Sequence, residues 1–176
     1  MARHGQTAYN AEGRFQGTLG IGLDEVGRAQ AQALSEVALG HGIRSLWCSP
    51  LQRARETAAA VAGSLGLEVC VEPRFAEHDT GEWTDRLKAE IEAENPELWA
   101  AYLRGGEDWT FPGGENLEAF MERVIDGFVE VTHRGELPAL VVCHRGVIRA
   151  AQSHSHIRGL GTFHEWPVDN GALIPL

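Results

Sequence analysis

The sequence predicts an α/β fold: a three-layer sandwich in which helices flank a mostly parallel central sheet, with a helical cap insertion. Two observations predict it. Short apolar runs typical of buried strands alternate with longer segments of helical periodicity. The chain has 176 residues, of which 43% are hydrophobic and 23% are charged, as expected of one globular domain. We therefore expect a single domain over residues 1–176, with the cap at about residues 83–115.

The first predicted helix follows a Gly-rich opening. Asp24 is a suitable N-cap residue, and Gly40 and Gly42 end the helix. The apolar stripe of this helix is predicted to consist of Val26, Ala29, Ala33, Leu34 and Val37.

The elements that follow continue the alternation of strands and helices. Residues 43–48 predict a buried strand, residues 51–65 a helix that ends at Gly66, and residues 67–71 a short strand. The last predicted elements are a helix at residues 118–131, a strand at residues 139–143 and a helix at residues 147–152.

A long segment interrupts this alternation. Residues 84–103 have a helical pattern with a break at Asn95-Pro96, and residues 105–114 form a loop that contains Trp109 and Phe111. We interpret the segment as a cap over a site. Periodicity alone equally allows a solvated excursion whose aromatic side chains fill a small separate cluster.

Charge and composition exclude several classes of protein. The 25 acidic residues outnumber the 15 basic ones, and the net charge of −10 is unfavourable for binding nucleic acid or an anionic membrane. Neither a signal peptide nor a membrane-spanning apolar run is present, so the expected location is cytoplasmic. The odd number of cysteines, 3, without a C-x-x-C pair indicates reduced thiols.

Three polar clusters indicate where a ligand binds. They are Arg3-His4-Gly5, residues 49–53 and His144-Arg145-Gly146, and two of them follow predicted strands. Ligands of parallel sheets bind at the carboxyl ends of strands, where helix N-termini also present free N–H groups. The clusters contain arginine and histidine but no carboxylate to pair with them, so they predict a site for phosphate.

These clusters also carry a family resemblance. Arg3-His4-Gly5-Gln6-Thr7 with Asn10 is similar to the R-H-G-x-T-x-x-N signature of the histidine phosphatase superfamily, the phosphoglycerate-mutase-like proteins. Four further segments match that family in the same order: residues 49–54 with Thr57, Glu77 with Gly81 and Trp83, residues 113–115, and residues 142–150. The resemblance spans roughly residues 2–150, and residues 168–170 suit the family's final strand.

The resemblance implies a role for each matching residue. His4 would be the nucleophile, and imidazole is chemically competent for this because a phosphohistidine divides the hydrolysis into two displacements. Arg3, Arg53 and His144 would surround the transferring phosphoryl group and stabilise its charge, so we expect neither metal nor cofactor. Glu77 would be the general acid, with the neighbouring His78 as the less favoured donor. The implied substrate-binding residues beyond the phosphoryl contacts are Asn10, Gln16, Gly17 and Arg145.

The resemblance implies a phosphatase for a small phosphorylated substrate, because the related mutases are longer. A cofactor-dependent phosphoglycerate mutase and a non-catalytic phosphoanion-binding protein remain alternatives. Self-association as a homodimer also stays open, and we expect no nucleic-acid or membrane partner.

Four positions depart from the family pattern. Only two residues precede Arg3, where the family has a whole strand, so we expect an upstream extension or a loosely held His4. Arg145 stands where a small residue is frequent, and it either contacts phosphate or restricts the leaving group. Asp85 replaces a common Gly and Asn116 a frequent Ser, and both affect the expected geometry of the cap.

Two rival sites use other residues. Cys143 to Arg149 also matches C-x-x-G-x-x-R, the phosphate loop of cysteine-dependent phosphatases, in which a thiolate at a helix N-terminus is the nucleophile. Val142 replaces the usual preceding His, and the other motifs would be unexplained. His154 and His156 could hold a metal, but residues at i and i+2 do not share a helix face.

Overall fold

The computed structural model describes residues 1–175 and has the predicted α/β architecture. Its strands are β1 (Ala2–Arg3), β2 (Ser45–Cys48), β3 (Val69–Val71) and β4 (Ala139–Cys143). Its helices are α1 (Ala8–Glu12), α2 (Glu25–Leu39), α3 (Gln52–Leu65), α4 (Lys88–Glu94), α5 (Pro96–Arg104), α6 (Leu117–Arg134) and α7 (Arg145–His154). No helix within residues 1–175 has the length and apolar character needed to cross a bilayer.

The sheet brings the three polar clusters of the sequence together. Its strand order is β1-β4-β2-β3, and each neighbouring pair is parallel. The carboxyl ends of parallel strands meet at one edge, and the residues that follow β1, β2 and β4 are His4, Ser49 and His144. The topology therefore builds a candidate site at this edge.

The two faces of β4 confirm the three-layer arrangement. Leu140 and Val142 belong to an apolar cluster that includes residues of α2 and α3. Val141 and Cys143 belong to a second cluster that includes residues of α6 and α7. Because successive strand side chains point to opposite faces, the sheet lies between these two layers of helices.

The ends of α2 are as predicted, but its buried face is not. Asp24 caps the helix by accepting a hydrogen bond from the Gly27 amide at 2.7 Å, whereas Val26 and Val37 are each 51% exposed. Of the predicted stripe, only Leu34 is buried, so the rest of it is wrong. Most of the residues that α2 buries are small: Gly27, Ala31, Leu34, Ser35 and Ala38.

The reason for this difference is the close approach of α2 to the loop after β1. A Cβ atom at Gly27 would collide with the backbone of Gln6, and one at Gly5 would collide with the Gly27 carbonyl. Where two backbones approach this closely, only a small residue fits, whatever its hydrophobicity.

The segment between α3 and α6 covers the site edge of the sheet. As predicted, its helices break at Asn95-Pro96, and Asn95 caps α5 by accepting from the Leu98 amide at 3.0 Å. Trp83, Trp109 and Phe111 are buried in the same apolar cluster as α6 and α7. The segment is therefore not a solvated excursion with a cluster of its own.

Two local predictions need correction. Residues 168–170 do not form a strand. Antiparallel pairing with β1 begins at the next residue, where the Gly171 amide donates to the Arg3 carbonyl at 3.1 Å, and it includes a bridge between Ala2 and Leu173. The short helix α1 was not predicted, although Thr7 and Asn10 form a capping box at its start.

The start of the chain is held more firmly than the sequence predicts. Residues 1–4 are buried. The Met1 amino group donates to the Ile174 carbonyl at 2.8 Å, and the His4 amide donates to the Cys143 carbonyl at 3.0 Å. Pairing with β4 and the C-terminal segment thus anchors the short β1, so the expectation of a loosely held His4 is wrong.

Candidate active site

A cavity of about 180 Å³ lies at the carboxyl edge of the sheet, beneath the cap. Its lining includes eight of the nine predicted site residues: Arg3, His4, Asn10, Gln16, Gly17, Arg53, Glu77 and Arg145. The ninth, His144, is fully buried beside His4, with 5.2 Å between the ring centroids. The structure thus brings all of these residues to one place, but His144 does not line the cavity.

The His4 ring is oriented with one nitrogen free. Its Nδ1 lies 2.6 Å from the Gly5 carbonyl oxygen, so this nitrogen carries the proton and donates. Burial, together with the positive charges of Arg53 and Arg3, holds the pKa of His4 well below its ordinary value. The ring is therefore neutral, and Nε2 is the nitrogen with a free lone pair.

The loop that carries His4 is fixed from two directions. The Gly5 amide donates to Thr57 Oγ1 at 3.1 Å, and the Asn170 side chain donates to the His4 carbonyl at 3.0 Å. Thr57 in turn donates to the Arg53 carbonyl at 2.8 Å. The second sequence motif therefore positions the loop of the first.

Arg3 and Arg53 are buried cations without a carboxylate partner among residues 1–175. Arg3 donates to the Val168 carbonyl at 2.8 Å, and Arg53 donates to the carbonyls of Leu19 and Gly17 at 2.9 Å each. Burial lowers the pKa of Arg3 to about 9 and that of Arg53 to about 10, so both remain charged at neutral pH. Each keeps a buried Nε with no hydrogen-bond partner within that range.

Ser49 orients the His144 ring. Ser49 Oγ accepts from the Leu51 amide at 3.2 Å and lies 2.7 Å from His144 Nε2. Donation from the hydroxyl to Nε2 leaves the ring proton on Nδ1, which is buried and has no partner within residues 1–175. Burial, Arg53 and His4 lower the pKa of His144 well below its ordinary value, so the ring is neutral.

The side-chain carboxylate of Glu77 lies against the first turn of α7. Its Oε1 accepts from the His78 amide at 2.9 Å and its Oε2 from the Gly146 amide at 3.2 Å. A Cβ atom at Gly146 would collide with this carboxylate, so the Gly in the third cluster makes room for Glu77.

The neighbouring His78 is engaged elsewhere. Its ring stacks on Phe120 with centroids 4.4 Å apart, and its Nε2 lies 3.0 Å from the Glu115 carbonyl. Burial lowers the pKa of His78. These contacts favour Glu77 over His78 as the proton donor.

Two more of the predicted binding residues, Gln16 and Asn10, are held by side-chain hydrogen bonds. Thr7 donates to Gln16 Oε1 at 3.0 Å. The Asn10 Oδ1 accepts from the Thr7 amide at 3.2 Å and from Asn170 at 3.2 Å. Because its oxygen is used in this way, Asn10 presents its amide nitrogen as the donor for a ligand.

Sequence reasoning missed other residues of the site. Lys88 and Arg149 also line the cavity, but Lys88 belongs to no motif and Arg149 entered only through the rival cysteine loop. Arg123 holds the loop before Glu77, because it donates to the carbonyls of Arg74, Ala76 and Glu77 and forms an ion pair with Glu115 at 2.6 Å. Its spacing from Glu77 in the sequence gives no signal for this role.

The rival nucleophile is wrong for a physical reason. Cys143 is fully buried in the apolar cluster below the sheet edge, and burial raises the pKa of its thiol to about 12. A thiol in this state is not a nucleophile at neutral pH. His154 and His156, the candidate metal ligands, do not line the cavity.

Two departures from the family pattern have structural explanations. Asp85 has a φ of 68°, in the left-handed region that favours glycine. Its carboxylate accepts from the Tyr9 hydroxyl at 2.6 Å. Asn116 caps α6 by accepting from the amides of Glu118 and Ala119 at 2.9 and 3.1 Å, as a Ser would.

Comparison with known proteins gives a consistent result. The family model described as histidine phosphatase superfamily (branch 1) matches residues 1–176. A metal-independent phosphoserine phosphatase of Arabidopsis thaliana is 34% identical over 156 residues, which cover 85% of this chain and 65% of the relative. A glucosyl-3-phosphoglycerate phosphatase of Mycolicibacterium vanbaalenii is 32% identical over 179 residues, which cover 97% of this chain and 78% of the relative.

A solved structure is also similar. A mycobacterial glucosyl-3-phosphoglycerate phosphatase in complex with VO3 superposes with a TM-score of 0.86 at 29% identity, covering 96% of this chain and 86% of that one. The present chain therefore spans about two thirds of the plant relative's length (65%) and most of the mycobacterial protein.

Proposed function

The chain belongs to the histidine phosphatase superfamily (branch 1) and is a phosphatase, and we propose that it hydrolyses a small phosphomonoester through a phosphohistidine on His4. The observation that carries the proposal is a set of unused donors around a neutral imidazole. Arg3 Nε, Arg53 Nε and His144 Nδ1 are buried without a hydrogen-bond partner within residues 1–175. An unsatisfied buried donor costs about 1–3 kcal/mol. The oxygens of a phosphoryl group on His4 would satisfy the two arginines, which line the cavity, and His144, whose ring lies beside that of His4.

In the first step, His4 Nε2 attacks phosphorus and the bond to the ester oxygen breaks. The two arginines and His144 stabilise the charge on the phosphoryl oxygens of the loose transition state. Glu77, as the general acid, gives its proton to the leaving oxygen. The products of this step are an alcohol and phosphohistidine.

In the second step, water replaces the alcohol. The Glu77 carboxylate takes a proton from the water. The water oxygen attacks phosphorus at the same time, and the N–P bond breaks. His4 returns to its neutral form, and inorganic phosphate leaves. Glu77 alternates between acid and base, and the arginines supply the positive charge that a metal supplies in other phosphatases. We therefore expect activity to survive exhaustive chelation.

The named relatives support a small metabolite as the substrate. They act on phosphoserine and on glucosyl-3-phosphoglycerate, and both compounds are phosphomonoesters of small alcohols.

Trapping of the phosphoenzyme tests the proposal. Acid quenching during turnover of a radiolabelled phosphomonoester should leave acid-labile phosphate on the peptide that contains His4. His4→Ala should abolish both labelling and turnover, whereas Cys143→Ser and the exposed His41→Ala should retain them. Turnover by a folded His4→Ala variant would overturn the proposal, as would labelling with no release of phosphate to water.

A further inference from the structure

Glu77 lies on a loop that has no regular secondary structure. This Glu77 loop, residues 76–80, lies between β3 and α4 and contains neither helix nor strand. The backbone carbonyls of such a loop have no partners in a helix or a sheet, so other groups must bind them. The position of the Glu77 carboxylate therefore depends on the groups that hold this loop.

The side chain of Arg123, on α6, holds the first half of the Glu77 loop. Its guanidinium donates to the Ala76 carbonyl at 2.9 Å and to the Glu77 carbonyl at 3.2 Å. It also donates to the Arg74 carbonyl, just before the loop, at 2.7 Å. A planar guanidinium that binds three carbonyls fixes their relative positions, which the point charge of a lysine cannot do.

Glu115 holds the second half of the same loop. Its carboxylate accepts from Arg123 Nε at 2.6 Å and from Arg123 Nη2 at 2.8 Å, and its Oε2 also accepts from the Asp79 amide at 3.3 Å. The Glu115 amide donates to the Asp79 carbonyl at 3.0 Å. The two-pronged ion pair therefore joins both halves of the Glu77 loop into one unit.

The ion pair also connects the Glu77 loop to the cap. Glu115 lies a few residues after Trp109 and Phe111, which line the cavity. The two loops approach each other closely, since a Cβ atom at Gly114 would collide with the Asp79 carbonyl. The position of Glu77 is thus tied to the part of the cap that borders the cavity.

Arg123 has no direct access to a substrate. It is not among the residues that line the cavity, and the Glu115 carboxylate offsets its charge. An effect of Arg123 on the reaction must therefore pass through the loop that it holds.

We infer that Arg123, paired with Glu115, is a positioning residue that places the Glu77 carboxylate for proton transfer to the leaving oxygen. The inference rests on the proposed function, which makes Glu77 the general acid. A general acid must lie about 2.6–3.2 Å from the atom that it protonates, and a displacement of about 1 Å costs about a hundredfold in rate.

The leaving-group dependence of an Arg123 variant tests the inference. Arg123→Met removes the donors but keeps a long side chain beside the Phe120 ring, whose centre lies 4.6 Å from the guanidinium carbon. We expect kcat for an alkyl phosphate to fall about tenfold to hundredfold. For p-nitrophenyl phosphate, whose leaving group needs little protonation, kcat should fall less than about threefold, and KM should stay unchanged for both substrates. The matched control is Arg134→Met, which removes an exposed ion pair with Glu130 on the same helix and should leave both kcat values unchanged.

A double variant shows whether Arg123 acts through Glu77. In a Glu77→Gln background, Arg123→Met should cause little further loss on the alkyl phosphate, because the side chain that it positions has no proton to give. Glu115→Gln weakens the pair but leaves the carbonyl contacts of Arg123 in place. It should give the same leaving-group dependence with a smaller loss, and it serves as the test if thermal melting shows that Arg123→Met does not fold.

Chemical rescue separates this role from a general effect on stability. The Arg123 side chain is 26% exposed, so a small cation can reach its place from solvent. In Arg123→Ala, guanidinium chloride at concentrations of about 10 mM, well below those that denature, should restore part of the alkyl phosphate activity. Sodium chloride at the same concentration should not.

The outcomes separate the inference from the proposed function. Equal losses on the two substrates in a folded Arg123→Met variant, wild-type kcat in that variant, or a full further loss in the Glu77→Gln background would overturn the inference. In each case, a leaving-group dependence of Glu77→Gln alone would still support Glu77 as the acid. If Glu77→Gln itself slows both substrates equally, the proposed acid fails, and the positioning role fails with it.

Discussion

At the scale of single residues, each central side chain is oriented by a neighbour that has no role in bond breaking. Ser49 fixes the His144 ring at 2.7 Å, and Thr57 holds the amide next to His4 at 3.1 Å. Gly146 has no side chain, and this leaves room for the Glu77 carboxylate to accept from its amide. The precision of the site therefore depends on these supporting contacts as much as on the reacting groups.

This pattern explains which site residues could be predicted from the sequence. His4, Arg53 and His144 lie in short motifs directly after strands, and the parallel sheet brings such positions together. Lys88 and Arg149 reach the cavity from α4 and α7, and only tertiary packing reveals that they do. A single lysine or arginine in a helical segment has the same local pattern whether it faces solvent or a cavity.

The proposed role of Glu77 as the acid gives a prediction at this scale. Glu77→Gln removes the transferable proton but keeps the size of the side chain, so hydrolysis of alkyl phosphates should fall about a hundredfold or more. p-Nitrophenyl phosphate should be affected about tenfold less, because its leaving group needs little protonation. Steady-state kcat on both substrates measures this, and His78→Gln is the matched control. Equal losses on the two substrates would assign the proton to another group.

At the scale of elements, helix boundaries were easier to predict than helix faces. The ends of α2 and α3 follow from Asp24, Gly40 and Gly66, because caps act through local hydrogen bonds and backbone angles. The buried face of α2 depends on what it packs against. Gly27 touches the loop that carries His4, so the face next to the site consists of small residues, while two valines point to solvent.

Gly27 therefore links α2 to catalysis. Gly27→Ala places a methyl group against the backbone of Gln6, and overpacking of this kind costs about 1–3 kcal/mol. Since Gln6 lies two residues from His4, we expect lower kcat as well as a lower melting temperature. The matched control is Gly63→Ala in α3, where a Cβ meets open space; it should stabilise the protein by about 0.5–1 kcal/mol. If both variants melt and turn over alike, the contact between α2 and the loop is unimportant.

At the scale of the whole molecule, the charge distribution is uneven. The net charge is −10, yet the cavity is lined by Arg3, Arg14, Arg53, Lys88, Arg145 and Arg149, with Glu77 as its one carboxylate. The concentration of like charge in the site has a cost for the free protein, because buried cations without counter-charges repel each other. A phosphate ion removes that cost when it binds.

Inorganic phosphate should therefore stabilise the fold. A ligand at about 100 times its dissociation constant stabilises the native state by about 2.7 kcal/mol. For a protein of this size, that corresponds to a rise in melting temperature of about 5–10 °C. Differential scanning fluorimetry in phosphate, with sodium chloride at matched ionic strength as the control, measures the rise apart from general screening. Chelation should not change it, since the proposed site holds the ion through Arg3 and Arg53 directly. Arg53→Met should remove most of the difference between the two salts, while the exposed Arg55→Met should keep it. An equal effect of phosphate and chloride on the wild type would mean that the unused donors of the cavity do not form a phosphate site.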